Sequence, residues 1–213
     1  MINKIQVKKN IIFAVMQIFV SSISLFLLYK FLIIELGIEK IGVWSIVMAF
    51  TAFLKTGDFG FTGSIVKFVS KYQARNEIMH VYKIIETSIV TITIGLSLLL
   101  MVTYPLIQML LPLFVSKNYM SGALALLPYS LISLWLSVIG IMIVFVFDGI
   151  QRVDIRSKIL MVSNVLFALL AILFVKEFGF IGLGYAQLVQ AALLLIVSWL
   201  LVRRHLDIIF ISL

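Results

Sequence analysis

The chain has 213 residues, 63% of them hydrophobic and 12% charged, with a mean hydropathy of +1.21. A soluble domain carries about 45–50% apolar and about 25% charged residues, so this composition excludes a water-soluble globule and indicates an integral membrane protein. The absence of cysteine removes disulfides, thiolate metal sites and cysteine nucleophiles, and the net charge of +8 comes from Lys and Arg flanking apolar runs, a topology signal before a nucleic-acid one.

Six apolar spans are expected in chain order, over about 11–34, 41–71, 82–111, 122–147, 155–175 and 181–202. The basic start MINKIQVKKN has the look of a signal peptide. The apolar run from Ile11 to Ile34 is too long for a signal core, however, and no small-residue cleavage site interrupts it early, so it reads as a retained first helix. The second span, Ile41 to Lys71, reads as one long helix. Pro105 and Pro112 bend or end the outer part of the third. Connections are short, and no soluble domain or convincing repeat appears, so residues 1–213 are read as one all-α, six-helix transmembrane domain. With the N-terminus inside, twelve Lys and Arg residues fall in cytoplasmic segments and four in outer ones, with Lys55 inside the membrane. That bias places both termini in the cytoplasm.

Function in such a chain has to come from polar residues within the spans. Thr51, Lys55, Asp58 and Thr62 follow 4-3-4 spacing and share one stripe of the second span. Roughly opposite, Gly57, Gly60 and Ser64 form a small-residue face suited to close helix packing. If Lys67 marks the inner surface, Lys55 lies about 18 Å above it on a continuous helix, near the midplane. A charge at that depth faces protein or a water-filled cavity. Two readings of Lys55 stand side by side: a cavity-facing functional cation, or one half of an intrahelical pair with Asp58. The first helix carries Asn10, Gln17, Ser21 and Ser24 along a seam. The fifth offers Asn164 with Ala168 and Ala171, and the sixth Gln187, Gln190 and Ser198. Gln17, Asn164, Gln187 and Gln190 are candidates to line a cavity and equally to hydrogen-bond between helices. Ser130, Ser133, Ser137 and Gly140 on the fourth read as a packing seam. Trp44, Trp135 and Trp199 read as anchoring or core aromatics.

Catalytic motifs fail in turn. There is no GK[ST] phosphate loop, no strand before Gly57, Gly60 and Gly63, no HExxH, and no nucleophile–histidine–acid set. His80 and His205 are too far apart in sequence to indicate a metal site. Asp148, Asp154, Glu77 and Glu86, each near a basic residue, read as solvated helix ends. Neither an enzyme nor a cofactor is expected.

KKN before a helix bearing Gln17, then LGIEKIGVWS, then LKTGDFGFTGSIVKFVSKY, resembles the opening of bacterial polysaccharide exporters. These are flippases for lipid-linked O-antigen, capsule or teichoic-acid precursors, in the same superfamily as the multidrug and toxin extrusion transporters. FDGIQRVDIRSKI and EFGFIGLGYAQLVQ continue the resemblance in the right order over nearly the whole chain. The resemblance implies one six-helix lobe of a two-lobe, alternating-access transporter of the bacterial cytoplasmic membrane. Its substrate would be an undecaprenyl-pyrophosphate-linked oligosaccharide, and Asp58 stands at the Asp of the family's D-x-G motif; Lys55 suits the pyrophosphate on physical grounds, as a cation at low dielectric. The second lobe is missing, which leaves a fragment, a truncated product, or a half-size protein that pairs with a second copy. The alternatives are a cation-coupled multidrug exporter and a non-transporting membrane assembly subunit.

Overall fold

The computed structural model describes residues 4–55 and 61–206, and every regular element among them is helical. The helices are α1 (Lys4–Leu36), α2 (Ile38–Lys55), α3 (Phe61–Ala74), α4 (Ile78–Leu110), α5 (Lys117–Gly149), α6 (Val153–Phe178) and α7 (Gly182–His205). Single 3-10 turns at Leu111–Leu113 and Gly179–Ile181 follow α4 and α6. Among the described residues, four helical stretches are long and apolar enough to cross a membrane: Lys4–Leu36, Ile78–Leu113, Lys117–Gly149 and Val153–His205. The last of these folds back at Gly179–Ile181, so that α6 packs on α7.

The second expected span differs from its reading. In place of one described helix from Ile41 to Lys71 there are two, α2 and α3, and residues 56–60 between them lie outside the described residues. The third span stays helical through Pro105, and Pro112 enters the 3-10 turn that ends it. α5 likewise contains Pro128.

Turn chemistry sets the joints. Asn76, with φ 57°, closes α3: Glu77 N–H bonds the Tyr72 carbonyl and Asn76 N–H bonds Gln73. Gln151, with φ 61°, closes α5 in the same way, Arg152 N–H reaching Phe147 and Gln151 N–H reaching Asp148. Both are Schellman motifs, in which a left-handed residue lets the last carbonyls find donors. Gly182 is required for another reason. A Cβ there would run into the Phe174 carbonyl, so only glycine lets α7 leave α6 this tightly.

α5 is the centre of the bundle, touching α2, α3, α4, α6 and α7. Leu126, Leu127, Met142, Ile143 and Phe147 along it are essentially sealed from the surface. At Gly140 the α7 backbone at Leu195 comes within 3.2 Å of where a Cβ would stand. α1 lies at the edge on α6, with only Leu28 and Leu32 buried. The rest of its apolar surface, Ile18, Phe19 and Phe26 included, is exposed and fits contact with lipid. The core falls into two apolar clusters. One joins α2 to the Ala123–Leu134 half of α5, the other joins α3 to the Ile139–Phe147 half.

Candidate functional site

A set of hydrogen-bonded polar side chains runs through the bundle. Asn164 Nδ2 on α6 donates to Ser21 Oγ on α1 at 2.8 Å. One residue earlier on α6, Ser163 accepts from Gln190 Nε2 on α7. One turn back along α7, Gln187 Oε1 accepts from Ser130 Oγ on α5 at 3.0 Å, while its Nε2 meets Met48 Sδ on α2 at 3.2 Å. These bonds link five helices, α1, α2, α5, α6 and α7. In an apolar interior an unpaired amide or hydroxyl is costly, which is why these groups find one another.

This set absorbs most of the cavity candidates outside the second span. Gln187 is 8% exposed and Thr51 5%, the Thr51 hydroxyl bonding back to the Met48 carbonyl at 2.8 Å. Asn164 remains at the surface beside a crevice of about 200 Å³ that it shares with Ser21 and Ser22. Gln17 is half-buried. Thr62, at the start of α3, is also half-buried. Lys55 ends α2; its side chain, and the whole of Asp58, lie outside the described residues, as do Gly57 and Gly60. The small-residue packing face therefore has Ser64 as its one described member, and Ser64 is exposed. The α5 seam is buried at Ser130, Ser133 and Gly140 and half-buried at Ser137.

Ser64 lines a different feature, a groove of about 390 Å³ between α3 and α4. Ser64, Ile65 and Phe68 form one wall, and Lys83, Ile84, Thr87, Ser88 and Thr91 the other. None of the hydroxyls of Ser64, Thr87, Ser88 and Thr91 hydrogen-bonds to another described residue. By contrast Ser97 and Thr103, further along α4, bond back to the Thr93 and Leu99 carbonyls. The groove thus offers four free hydroxyls and an exposed ammonium along a helix of membrane-spanning length, an arrangement that fits a hydroxyl-rich or anionic molecule. Sequence reading passed over it. The signal was there in Lys83, Thr87 and Thr91, spaced four apart and therefore on one helical face.

At the end of the bundle where α5 meets α6, a second polar cluster corrects an expectation. Asp154 is 4% exposed rather than solvated. Its carboxylate accepts from Gln6 Nε2 at 2.8 Å and Arg152 Nε at 3.1 Å, while its own N–H donates to Asn10 Oδ1 at 3.0 Å. Asn10 Nδ2 in turn donates to the Gln151 carbonyl at 3.0 Å. Asp148, also largely shielded, takes Arg156 Nη1 at 2.9 Å. Asp154 is covered by Gln6 and Asn10 of α1, whereas Asp148 is shielded in its pair with Arg156. His80 stacks on Tyr72 and His205 packs edge-on against Phe147.

No family model, curated protein or solved structure matches this chain.

Proposed function

We propose that this chain is one six-span lobe of a flippase that carries an undecaprenyl-pyrophosphate-linked oligosaccharide across the bacterial cytoplasmic membrane. In this reading α2 and α3 together make the second span, both termini are cytoplasmic, and a second lobe completes the translocation path. The observation that carries the reading is the α3–α4 groove. Hydroxyls left without internal partners on a membrane-embedded helix are costly against lipid and useful against sugar. Lys83 in the groove, and Lys55 at the end of α2, supply cations for the pyrophosphate, which a low-dielectric surround strengthens. The ordered resemblance of LGIEKIGVWS, FDGIQRVDIRSKI and EFGFIGLGYAQLVQ to polysaccharide exporters supports the same class.

The test uses substitutions made in the producing bacterium, near-isosteric at the threonines. Thr87→Val with Thr91→Val, and separately Lys55→Ala, should lower surface polysaccharide about tenfold, the consequence of losing about 1.4 kcal/mol of cargo binding. Membrane levels of the protein should stay constant. Undiminished glycan display in both variants would reject the assignment.

A second reading, a non-transporting assembly subunit, draws on the hydrogen-bonded set, which keeps Gln187 and Gln190 engaged inside the bundle. It predicts a stable hetero-complex by native mass in place of glycan export.

A further inference from the structure

A groove of about 250 Å³ runs between α6 and α7, on a part of the bundle separate from the α3–α4 face. Its walls are Val162 and Leu166 on one side and Leu193, Val197 and Leu201 on the other, with Lys158 at one end. Val162, Leu193 and Val197 are exposed. From Lys158 to Leu166, and from Leu193 to Leu201, each wall runs eight residues, about 12 Å at 1.5 Å per residue. One leaflet's share of a hydrocarbon core about 30 Å thick is about 15 Å, so the groove spans most of a single leaflet.

Lys158 forms no ion pair with a described residue. Asp154, one turn earlier on α6, lies within electrostatic reach of it, but that carboxylate is already hydrogen-bonded by Arg152 and Gln6. Lys158 Nζ stands 4.2 Å from the centre of the Phe13 ring, a contact that uses no hydrogen-bond acceptor and leaves its N–H donors available. Arg204, exposed, extends the Leu193–Val197–Leu201 stripe of α7 by three residues, bringing a second cation to the same end. An apolar channel one leaflet long, closed by two cations at the membrane surface, matches one kind of ligand in a bilayer: an acyl chain ending in a phosphate.

We infer that the α6–α7 groove is a resident binding site for an anionic phospholipid, one acyl chain lying along Val162, Leu166 and Val197 and the phosphate held by Lys158 and Arg204. The site does not depend on the flippase reading, since it needs no transport.

The test measures lipid retention by native mass spectrometry on the purified full chain, titrated with phosphatidylglycerol and, separately, phosphatidylcholine. Phosphatidylglycerol should be preferred about thirtyfold, equivalent to roughly 2 kcal/mol, as two basic groups at an anionic headgroup imply. Lys158→Gln with Arg204→Gln should erase the preference, and Lys158→Arg should keep it. Val162→Trp, which fills the groove, should release both lipids. Equal retention of the two lipids, a preference unmoved by the double glutamine variant, or its loss in the charge-conserving arginine variant would each overturn the inference. So would displacement of phosphatidylglycerol by inorganic phosphate alone, which shows an anion site without a chain. Stoichiometric displacement by a polyprenyl pyrophosphate would reassign the groove to cargo.

Discussion

Gln187 and Thr51 show how one residue class splits into two roles. Gln187 bonds outward to α5 and α2, and its loss would leave the buried Ser130 hydroxyl without its partner. Gln187→Leu should therefore destabilise the bundle by about 1–2 kcal/mol, at the upper end for interhelical hydrogen bonds in membranes. Thr51 spends its hydroxyl on its own helix, at the Met48 carbonyl, so Thr51→Val should change stability by less than about 0.5 kcal/mol. Thermal unfolding in detergent compares the two directly, and equal losses would contradict the distinction. Polar residue type was legible in the sequence. Which partner each group chose was not, because the bonds from Gln187 to Ser130 and Met48 join residues 57 and 139 apart in the chain.

α1 packs along α6 and is also pinned by polar contacts. It buries little, yet Asn10 at its start both receives the first N–H region of α6, at Asp154, and donates to Gln151 at the end of α5. In effect a residue on one helix caps another, as an N-cap side chain does within one chain segment. Asn10→Ala should cost about 1 kcal/mol and speed hydrogen exchange in the first turn of α6, with the middle of α7 unchanged. Uniform acceleration across the bundle, or none in α6, would count against the cap. The same element scale explains the one span read differently. No proline lies between Ile41 and Lys71, and the glycine-rich KTGDFGFTGS stretch reads equally as a small-residue packing face or as a break, so the pattern alone does not signal that α2 and α3 serve different halves of the core. The 18 Å rise drawn from Lys67 to Lys55 assumed an unbroken helix, and its middle falls outside the described residues.

For the whole molecule, the arrangement of ends fixes a topology experiment. Arg75, just past α3, and Gly149, the end of α5, share one end of the bundle, as the Val69–Gly149 contact shows. Lys117, at the start of α5, lies at the other. The chain has no cysteine, so single cysteines report cleanly. A membrane-impermeant maleimide should label Lys117→Cys in intact cells and Arg75→Cys only after permeabilisation. The reverse pattern would invert the proposed orientation.

Helical content, the apolar length of the long helices and the positions of α1 and α4 to α7 were determined by the sequence alone, because apolar length and flanking charge are one-dimensional properties of the chain. Tertiary structure alone decided that Asp154 is buried under α1, that Gln187 and Gln190 belong to a hydrogen-bonded set, and that Ser64 meets Thr87 and Thr91 across a groove. Each of those outcomes depends on which helix faces which. That choice is made by close approach at Gly140, Gly182 and Gly184 and by pairing polar groups away from water, and neither is written in any single stretch of the chain.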